Sequence, residues 1–174
     1  EIISETDNQE QRNKLIQIIS HDVARIERLI TDYSQMLKDE AAITTEKMKK
    51  IDLEEITSSV VDDYNNIYNS KRRINIQLKT NGSKGYFILG IENRIEQIIA
   101  NLLDNSISFS KDNQKIDVDL NKNKDNSIIL KVIDEGVGFK EKDTKKIFKR
   151  FYSNRPGKFG EHSGLGLNIV KNLV

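Results

Sequence analysis

The sequence contains no cysteine, which excludes disulfide bonds and thiolate metal sites. It has no apolar run long enough to span a bilayer, and no signal peptide is visible. Charge of one sign is not in excess, since 28 basic residues stand against 27 acidic ones, and net charge therefore gives no support to a nucleic-acid partner. Charged residues are nonetheless abundant, at 32%, which suits a protein with long solvated helices.

The N-terminal part has the periodicity of one long amphipathic helix, over residues 8–42. Its apolar positions advance alternately by four and three residues, with Asp22 as one polar interruption: Leu15, Ile19, Ile26, Leu29, Tyr33 and Met36. The run Thr6-Asp7-Asn8 offers an N-cap. A helix with one apolar face needs a partner, so we predict a dimerisation hairpin over residues 1–45. This hairpin would consist mostly of its second helix, with residues 1–5 as the remnant of its first. The alternative is that the long helix packs against its own domain.

Residues 46–174 predict an α+β domain with two layers. Residues 40–51 are predicted to be a polar, Lys-rich connector, and turn signals separate the later elements. The predicted elements are a helix over 52–69, a hairpin with strands over 74–78 and 86–88 around Asn81-Gly82, a helix over 92–108, and a second hairpin with strands over 116–120 and 128–133.

Two asparagines lie four residues apart in the predicted helix over 92–108. Asn101 and Asn105 therefore share one face of that helix, one turn apart. An asparagine offers a neutral carbonyl oxygen, which suits Mg²⁺, and an amide that can donate to phosphate. The spacing fits a metal–phosphate site, and it also fits two solvent-facing side chains.

Two glycine-rich segments follow at the ends of predicted elements. Asp134 ends an apolar strand, and Gly136 and Gly138 after it allow a sharp turn and a close approach to a ligand. Residues 163–167 (Ser-Gly-Leu-Gly-Leu) begin the last helix, where free backbone N–H groups and the helix dipole favour phosphate. Each segment is common by itself.

An aromatic cluster lies between the two glycine-rich segments, at residues 147–152 (Ile-Phe-Lys-Arg-Phe-Tyr). Its composition predicts an anchor in the core. Residues 153–163 then hold the only proline, two glycines and the cations Arg155 and Lys158. This composition predicts a flexible cationic loop.

In this order and at these distances, the four motifs resemble four sequence boxes of the ATP-binding domain of sensor histidine kinases. These are the N box (101–105), the first glycine box (134–138), the F box (147–152) and the second glycine box (163–167). The resemblance covers residues 52–174. It implies the Bergerat ATP-binding fold, a two-layer α/β sandwich, for residues 46–174, truncated at its C-terminus and preceded by a long dimerisation helix. It also implies ATP and Mg²⁺ as cofactors, with residues 153–163 as the lid.

The family's binding residues carry over to this chain position by position. Asn105 would hold the magnesium ion, and Asp134 would accept a hydrogen bond from the exocyclic amine of adenine. The nucleotide-binding residues that the resemblance implies are Asn101, Asn105, Phe109, Asp134, Gly136, Gly138, Arg155, Lys158, Ser163, Gly164, Leu165, Gly166 and Leu167.

Asn101 separates the kinases of this fold from its hydrolytic members, which typically have a glutamate there as general base. An asparagine cannot take that proton, so the chain resembles the kinase branch. The alternatives are a hydrolytic ATPase of the gyrase kind, a non-catalytic dimerisation or nucleotide-sensing module, and an anti-sigma serine kinase.

A histidine kinase also needs a phosphoacceptor histidine, and the chain has two histidines. His162 lies in the lid. His21 is followed by Asp22 as in an acceptor motif, but the proline expected downstream is absent. Residues 21–30 instead resemble the second helix of the hairpin in envelope-sensing kinases of the ChvG type. We therefore expect the acceptor outside this chain, with His21 as the alternative.

The resemblance implies partners as well. A homodimer would form through the N-terminal helix, and a response regulator would receive the phosphoryl group on an aspartate. The chain would be the cytoplasmic part of an inner-membrane sensor whose membrane segments lie elsewhere. Autophosphorylation by this chain without its acceptor is not expected.

Overall fold

The computed structural model describes residues 2–43, 46–82, 85–138, 143–152 and 164–174. The elements, in chain order, are α1 (Ile2–Ile43), β1 (Lys49–Asp52), α2 (Leu53–Arg72), β2 (Asn75–Thr80), β3 (Phe87–Gly90), α3 (Glu92–Phe109), β4 (Lys115–Lys122), β5 (Ile128–Asp134), a 3₁₀ helix (Thr144–Phe148) and α4 (Gly166–Leu173).

The predicted long helix is confirmed as α1, but its predicted start is wrong. The helix is continuous from Ile2, so Thr6-Asp7-Asn8 is not a cap and residues 2–5 are not the remnant of a separate helix. Apolar side chains along α1 are exposed: Leu15, Ile16, Ile18, Ile19, Val23, Ile26, Ile30, Tyr33 and Leu37. Among the described residues, no helix combines the length and apolar character that a bilayer crossing requires.

The strands form two sheets, and one of the two predicted hairpins is wrong. β4 and β5 pair antiparallel, as predicted for the second hairpin. β2 and β3 do not pair: β2 runs parallel to β4, and β3 pairs antiparallel with β1. The three-stranded sheet therefore has the order β2-β4-β5, and its parallel pair is connected through α3.

β1 lies in the segment that was predicted to be a polar connector. Its lysines face solvent and Ile51 is its buried residue. Asp52 then ends the strand and caps α2, because its carboxylate accepts a hydrogen bond from the N–H of Glu54 at 3.1 Å. The predicted start of the second helix is confirmed.

The core lies between the three-stranded sheet and the helices α2 and α3. β2 and β4 bury one face of alternating residues against these helices. The fully buried residues of this layer include Ile74, Ile99, Leu103, Ile116, Val118 and Leu120. The predicted α+β architecture with two layers is therefore confirmed.

One side chain of α2 pairs with the backbone of β2. The amide Nδ2 of Asn65 donates to the carbonyl oxygen of Ile76 at 2.9 Å, and its Oδ1 accepts from the N–H of Ile76 at 2.9 Å. Since β2 lies at one edge of the described sheet, Asn65 satisfies backbone groups there that no strand partner takes.

Candidate nucleotide site

α3 presents one apolar and one polar face, and the polar face carries the predicted N-box residues. Ile99, Leu103 and Ile107 are buried at helical spacing against the sheet. Asn101 and Asn105 lie on another face and are half-buried. Their side chains therefore border solvent at the rim of the core.

Asn101 contacts the last helix directly. Its Nδ2 donates to the carbonyl oxygen of Gln97 at 2.8 Å, which fixes the orientation of the amide. A methyl group built on Gly166 would lie 2.9 Å from Oδ1 of Asn101, so only glycine fits there without displacement. The N box and the second glycine box are thus in contact.

The loop after β5 rests on the C-terminus of α3. Asp134 ends the strand as predicted, and its Oδ1 accepts from the N–H of Gly136 at 2.9 Å. A methyl group on Gly136 would lie 2.8 Å from the carbonyl oxygen of Phe109 and 2.7 Å from Oδ1 of Asp134. The first glycine box therefore depends on the absence of a side chain at residue 136 for its contact with the N-box helix.

Gly138 has a different reason to be glycine. Its φ is +68°, a left-handed conformation that costs other residues energy, while none of the described residues lies within 4 Å of the position of a Cβ atom. Its backbone conformation, and not a lack of room among the described residues, is what favours glycine there.

The second glycine box packs on the aromatic segment. Gly164 has φ +70°, and a methyl group there would lie 2.9 Å from the carbonyl oxygen of Tyr152. Leu165 is fully buried, so only its backbone can reach a ligand. Gly166 and the half-buried Leu167 begin α4, whose first turn provides N–H groups outside the helical hydrogen-bond ladder.

The predicted core anchor in the aromatic cluster is wrong for Phe151, which is 55% exposed and has a φ of +62°. Phe148 and Tyr152 are half-buried. The connection to the fold runs instead through Asn168. Its Nδ2 donates to the carbonyl oxygen of Phe148 at 2.9 Å, and its Oδ1 accepts from Nε of Arg150 at 3.3 Å.

Asn168 was not predicted from the sequence, although one signal was available. It is a polar residue on the buried face of a short apolar helix, where an unpaired amide would be costly. Its two partners explain its position.

Asp104, inside the N box, bonds a side chain of α2. The Tyr64 hydroxyl donates to Oδ1 of Asp104 at 2.9 Å. Burial, followed by the Asp104 carboxylate, raises the pKa of the Tyr64 hydroxyl above its ordinary value. Tyr64 therefore stays protonated and holds α2 against α3.

Three predicted residues, Arg155, Lys158 and Ser163, lie outside the described residues. Only the backbone of His21 is described, within α1. The other predicted residues lie along the contacts between α3, the loop after β5 and α4. Among the described residues there is no cluster of histidine and carboxylate side chains that could hold a metal by itself.

Comparison with known proteins identifies relatives of this chain. The family model "Histidine kinase-, DNA gyrase B-, and HSP90-like ATPase" matches residues 90–174. The sensor protein ChvG of Rhizobium meliloti (strain 1021) is 36% identical over 96% of this chain, and that of Agrobacterium fabrum (strain C58) is 34% identical over all of it. The chain spans only 30% of the length of either relative.

Solved structures show the same fold at lower identity. The catalytic domain of histidine kinase ThkA superposes with a TM-score of 0.63 at 22% identity, over 74% of this chain and 80% of that one. The predicted resemblance, including its ChvG type, is thereby confirmed.

Proposed function

We propose that this chain, whose residues 90–174 belong to the family of histidine kinase-, DNA gyrase B- and HSP90-like ATPases, is the ATP-binding catalytic portion of a two-component sensor histidine kinase. In the longer protein it would donate the γ-phosphoryl group of ATP to a histidine, for relay to an aspartate of a response regulator. The observation that carries the proposal is the contact of the N-box helix α3 with both glycine boxes, through Phe109 at Gly136 and through Asn101 at Gly166.

Each end of ATP would have its own binding surface. Asp134 would accept from the adenine amine, because its half-buried carboxylate lies at the end of β5 and is oriented by the N–H of Gly136. The start of α4, with Gly164 and Gly166, would bind phosphates through backbone N–H groups. Phosphoryl transfer of this kind depends on positioning and electrostatics more than on covalent chemistry. Arg155 and Lys158 of the lid remain predicted contributors.

Asn105 would be the protein ligand of Mg²⁺. The fit rests on donor chemistry: a half-buried amide oxygen on the polar face of α3, with no carboxylate cage needed, because Mg²⁺ in such sites takes one or two protein ligands plus phosphate oxygens. When bound, the ion would neutralise charge on the phosphates. The chain's own part is to hold that oxygen at the phosphate end of the site.

Transfer is favoured over hydrolysis by the chemistry of Asn101. Its amide is hydrogen-bonded to Gln97 and packed against Gly166, and an amide cannot deprotonate water. Asn101 would therefore serve as a positioning and phosphate-side group in an enzyme that passes the phosphoryl group on.

The exposed apolar side chains of α1 support a homodimer, with residues 1–45 as the dimerisation segment and residues 46–174 as the catalytic domain. Isolated exposed apolar residues are common, but a row of them at heptad-like spacing on one helix is not. Light scattering of the purified chain would test this: a monomer at micromolar concentration would count against dimerisation through α1.

A response regulator is the proposed partner of the longer protein. ThkA has been solved in complex with the response regulator protein TrrA, and ThkA shares the fold of this chain. The phosphoacceptor is proposed to lie outside this chain, so incubation with labelled ATP should leave it unlabelled. An acid-labile, alkali-stable phosphate on His21 would contradict this.

The test of the nucleotide site is calorimetric titration of ATP with and without Mg²⁺, for the wild type and Asn105→Ala. We expect saturable binding by the wild type that strengthens with Mg²⁺, and loss of that strengthening in the variant. Asn123→Ala is the matched control, since Asn123 bonds Ser127 in the β4–β5 turn. Absence of binding by a folded wild-type sample would refute the nucleotide site.

A further inference from the structure

Two side chains continue the β4–β5 pairing beyond its last backbone pair. That pair is Ile116 with Asp134. One position further, Oε2 of Glu135 accepts from the backbone N–H of Lys115 at 3.0 Å, and Nε2 of Gln114 donates to the backbone carbonyl oxygen of Glu135 at 2.8 Å. The first residue after Asp134 is therefore held on both its carbonyl and its carboxylate.

Gln114 is itself fixed by its second partner. Its Oε1 accepts from the backbone N–H of Lys111 at 2.6 Å. The amide thus bridges the loop that leaves α3 to the loop that leaves β5. The two bonds use Oε1 and Nε2 of the same planar amide group. The orientation of that group therefore determines where the carbonyl of Glu135 lies.

The loop that carries Gln114 is fixed in turn from α2. The guanidinium of Arg72 donates to the carbonyl oxygen of Ser110 at 2.7 Å and to Oδ1 of Asp112 at 2.8 Å. The N–H of Asn113 donates back to the carbonyl oxygen of Arg72 at 3.0 Å. Gln114 therefore extends from a fixed support to the first glycine box.

We propose that Gln114 and Glu135 are positioning residues that hold the first glycine box in the orientation required for base recognition, and so determine how strongly the site prefers adenine to guanine. This rests on the proposed function, in which Asp134 reads the adenine amine. Oδ1 of Asp134 is already bonded to the N–H of Gly136. The direction of its carboxylate thus follows the loop, and the loop is held by Gln114 and Glu135.

Their exposure separates this role from general stability. Gln114 is half-buried and Glu135 is exposed, so neither side chain belongs to the buried core, and removing either should leave the protein folded. Their bonds nevertheless hold Glu135, the residue directly after Asp134, against Gln114 and Lys115. A change there should affect the base end of ATP and leave the phosphate end unchanged.

The experiment measures dissociation constants for ATP and GTP, with and without Mg²⁺, for the wild type, Gln114→Ala, Glu135→Ala and Glu135→Gln. Both alanine variants should lower the preference for ATP over GTP by about 3- to 10-fold, the effect of one lost hydrogen bond. Glu135→Gln keeps an acceptor oxygen for the N–H of Lys115 and should retain the preference. The factor by which Mg²⁺ strengthens ATP binding should be the same in all four proteins.

Asn123→Ala is the control for loss of a polar side chain elsewhere in the same sheet, and thermal unfolding verifies that each variant is folded. An unchanged ATP-to-GTP ratio in both alanine variants would overturn the positioning role. A parallel fall in nucleotide preference and Mg²⁺ dependence would also overturn it, because it would indicate general damage. If the wild type bound no ATP, the proposed function itself would fail, which is a distinct result.

Discussion

Gly136→Ala tests the contact between the first glycine box and the N-box helix most directly. The added methyl group would lie 2.7 Å from Oδ1 of Asp134 and 2.8 Å from the carbonyl oxygen of Phe109, both below the 3.0 Å that real Cβ atoms keep. The carboxylate can rotate away only by giving up its bond from the N–H of Gly136. The carbonyl belongs to the last residue of α3, so the loop itself must move.

The expected loss of stability in Gly136→Ala follows from these two contacts. Overpacking of this kind costs about 1–3 kcal/mol, and the lost Asp134 hydrogen bond accounts for about 1 kcal/mol of it. We expect the free energy of unfolding to fall by about 2 kcal/mol. A displaced Asp134 also loses its alignment with the adenine amine, which should weaken ATP binding roughly tenfold or more.

Urea denaturation and ATP calorimetry on the same samples provide the measurement. Gly90→Ala is the matched control, because the same methyl group there meets Cδ1 of Ile51 at 3.4 Å, an ordinary contact in the other sheet. It should change the unfolding free energy by less than about 1 kcal/mol and leave ATP affinity intact. Wild-type ATP affinity in Gly136→Ala would refute the inference that the two motifs are tightly packed.

Two further predictions concern the contacts of α2. Arg72→Met should lower the free energy of unfolding in a urea titration by about 2 kcal/mol, because the carbonyls of Ile107 and Ser110 lose their donor. Asp112→Ala is the control: it removes only an exposed ion pair and should lower the same free energy by about 0.5 kcal/mol or less. Tyr64→Phe should destabilise the protein by about 1 kcal/mol at neutral pH, through loss of the bond to Asp104. The folded state raises the pKa of the Tyr64 hydroxyl above its ordinary value of 10.0. As the pH rises past 10.0, Tyr64 therefore ionises in the unfolded state and stays protonated in the folded state. This stabilises the unfolded wild type and lowers its free energy of unfolding, whereas the Tyr64→Phe variant has no hydroxyl to ionise. The difference in unfolding free energy between the wild type and Tyr64→Phe should therefore decrease above pH 10.0. A constant difference in urea unfolding from pH 8 to about 11 would contradict the bond between Tyr64 and Asp104.

The sequence predicted the elements whose signals are local. α2 and α3 follow from apolar periodicity, and Asp52 is a cap that can be read from the chain. The order of the four motifs predicted the site because each lies at the end of an element, where backbone or polar groups are available. The meeting of Asn101 with Gly166 could be expected from the resemblance but not from spacing, since 65 residues separate them in the chain.

The predictions that proved wrong depended on contacts between residues that are far apart in the sequence. Asn81-Gly82 is a real turn signal, with Gly82 at φ +71°, but a turn does not determine which strand the chain pairs with next. β3 pairs with β1, a strand with exposed lysines that reads as a connector because only Ile51 is buried. The roles of Gln114 and Glu135 were also hidden, since their partners are backbone groups that any sequence provides.

Asn65 has a consequence for how copies of this protein can associate. An edge strand with unpaired backbone groups is a template for strand addition by another chain. Asn65 bonds both the N–H and the carbonyl oxygen of Ile76, as a neighbouring strand would, and so hinders the addition of a strand beside β2. Assembly through intermolecular strand pairing is thereby disfavoured at Ile76 on this edge of the sheet.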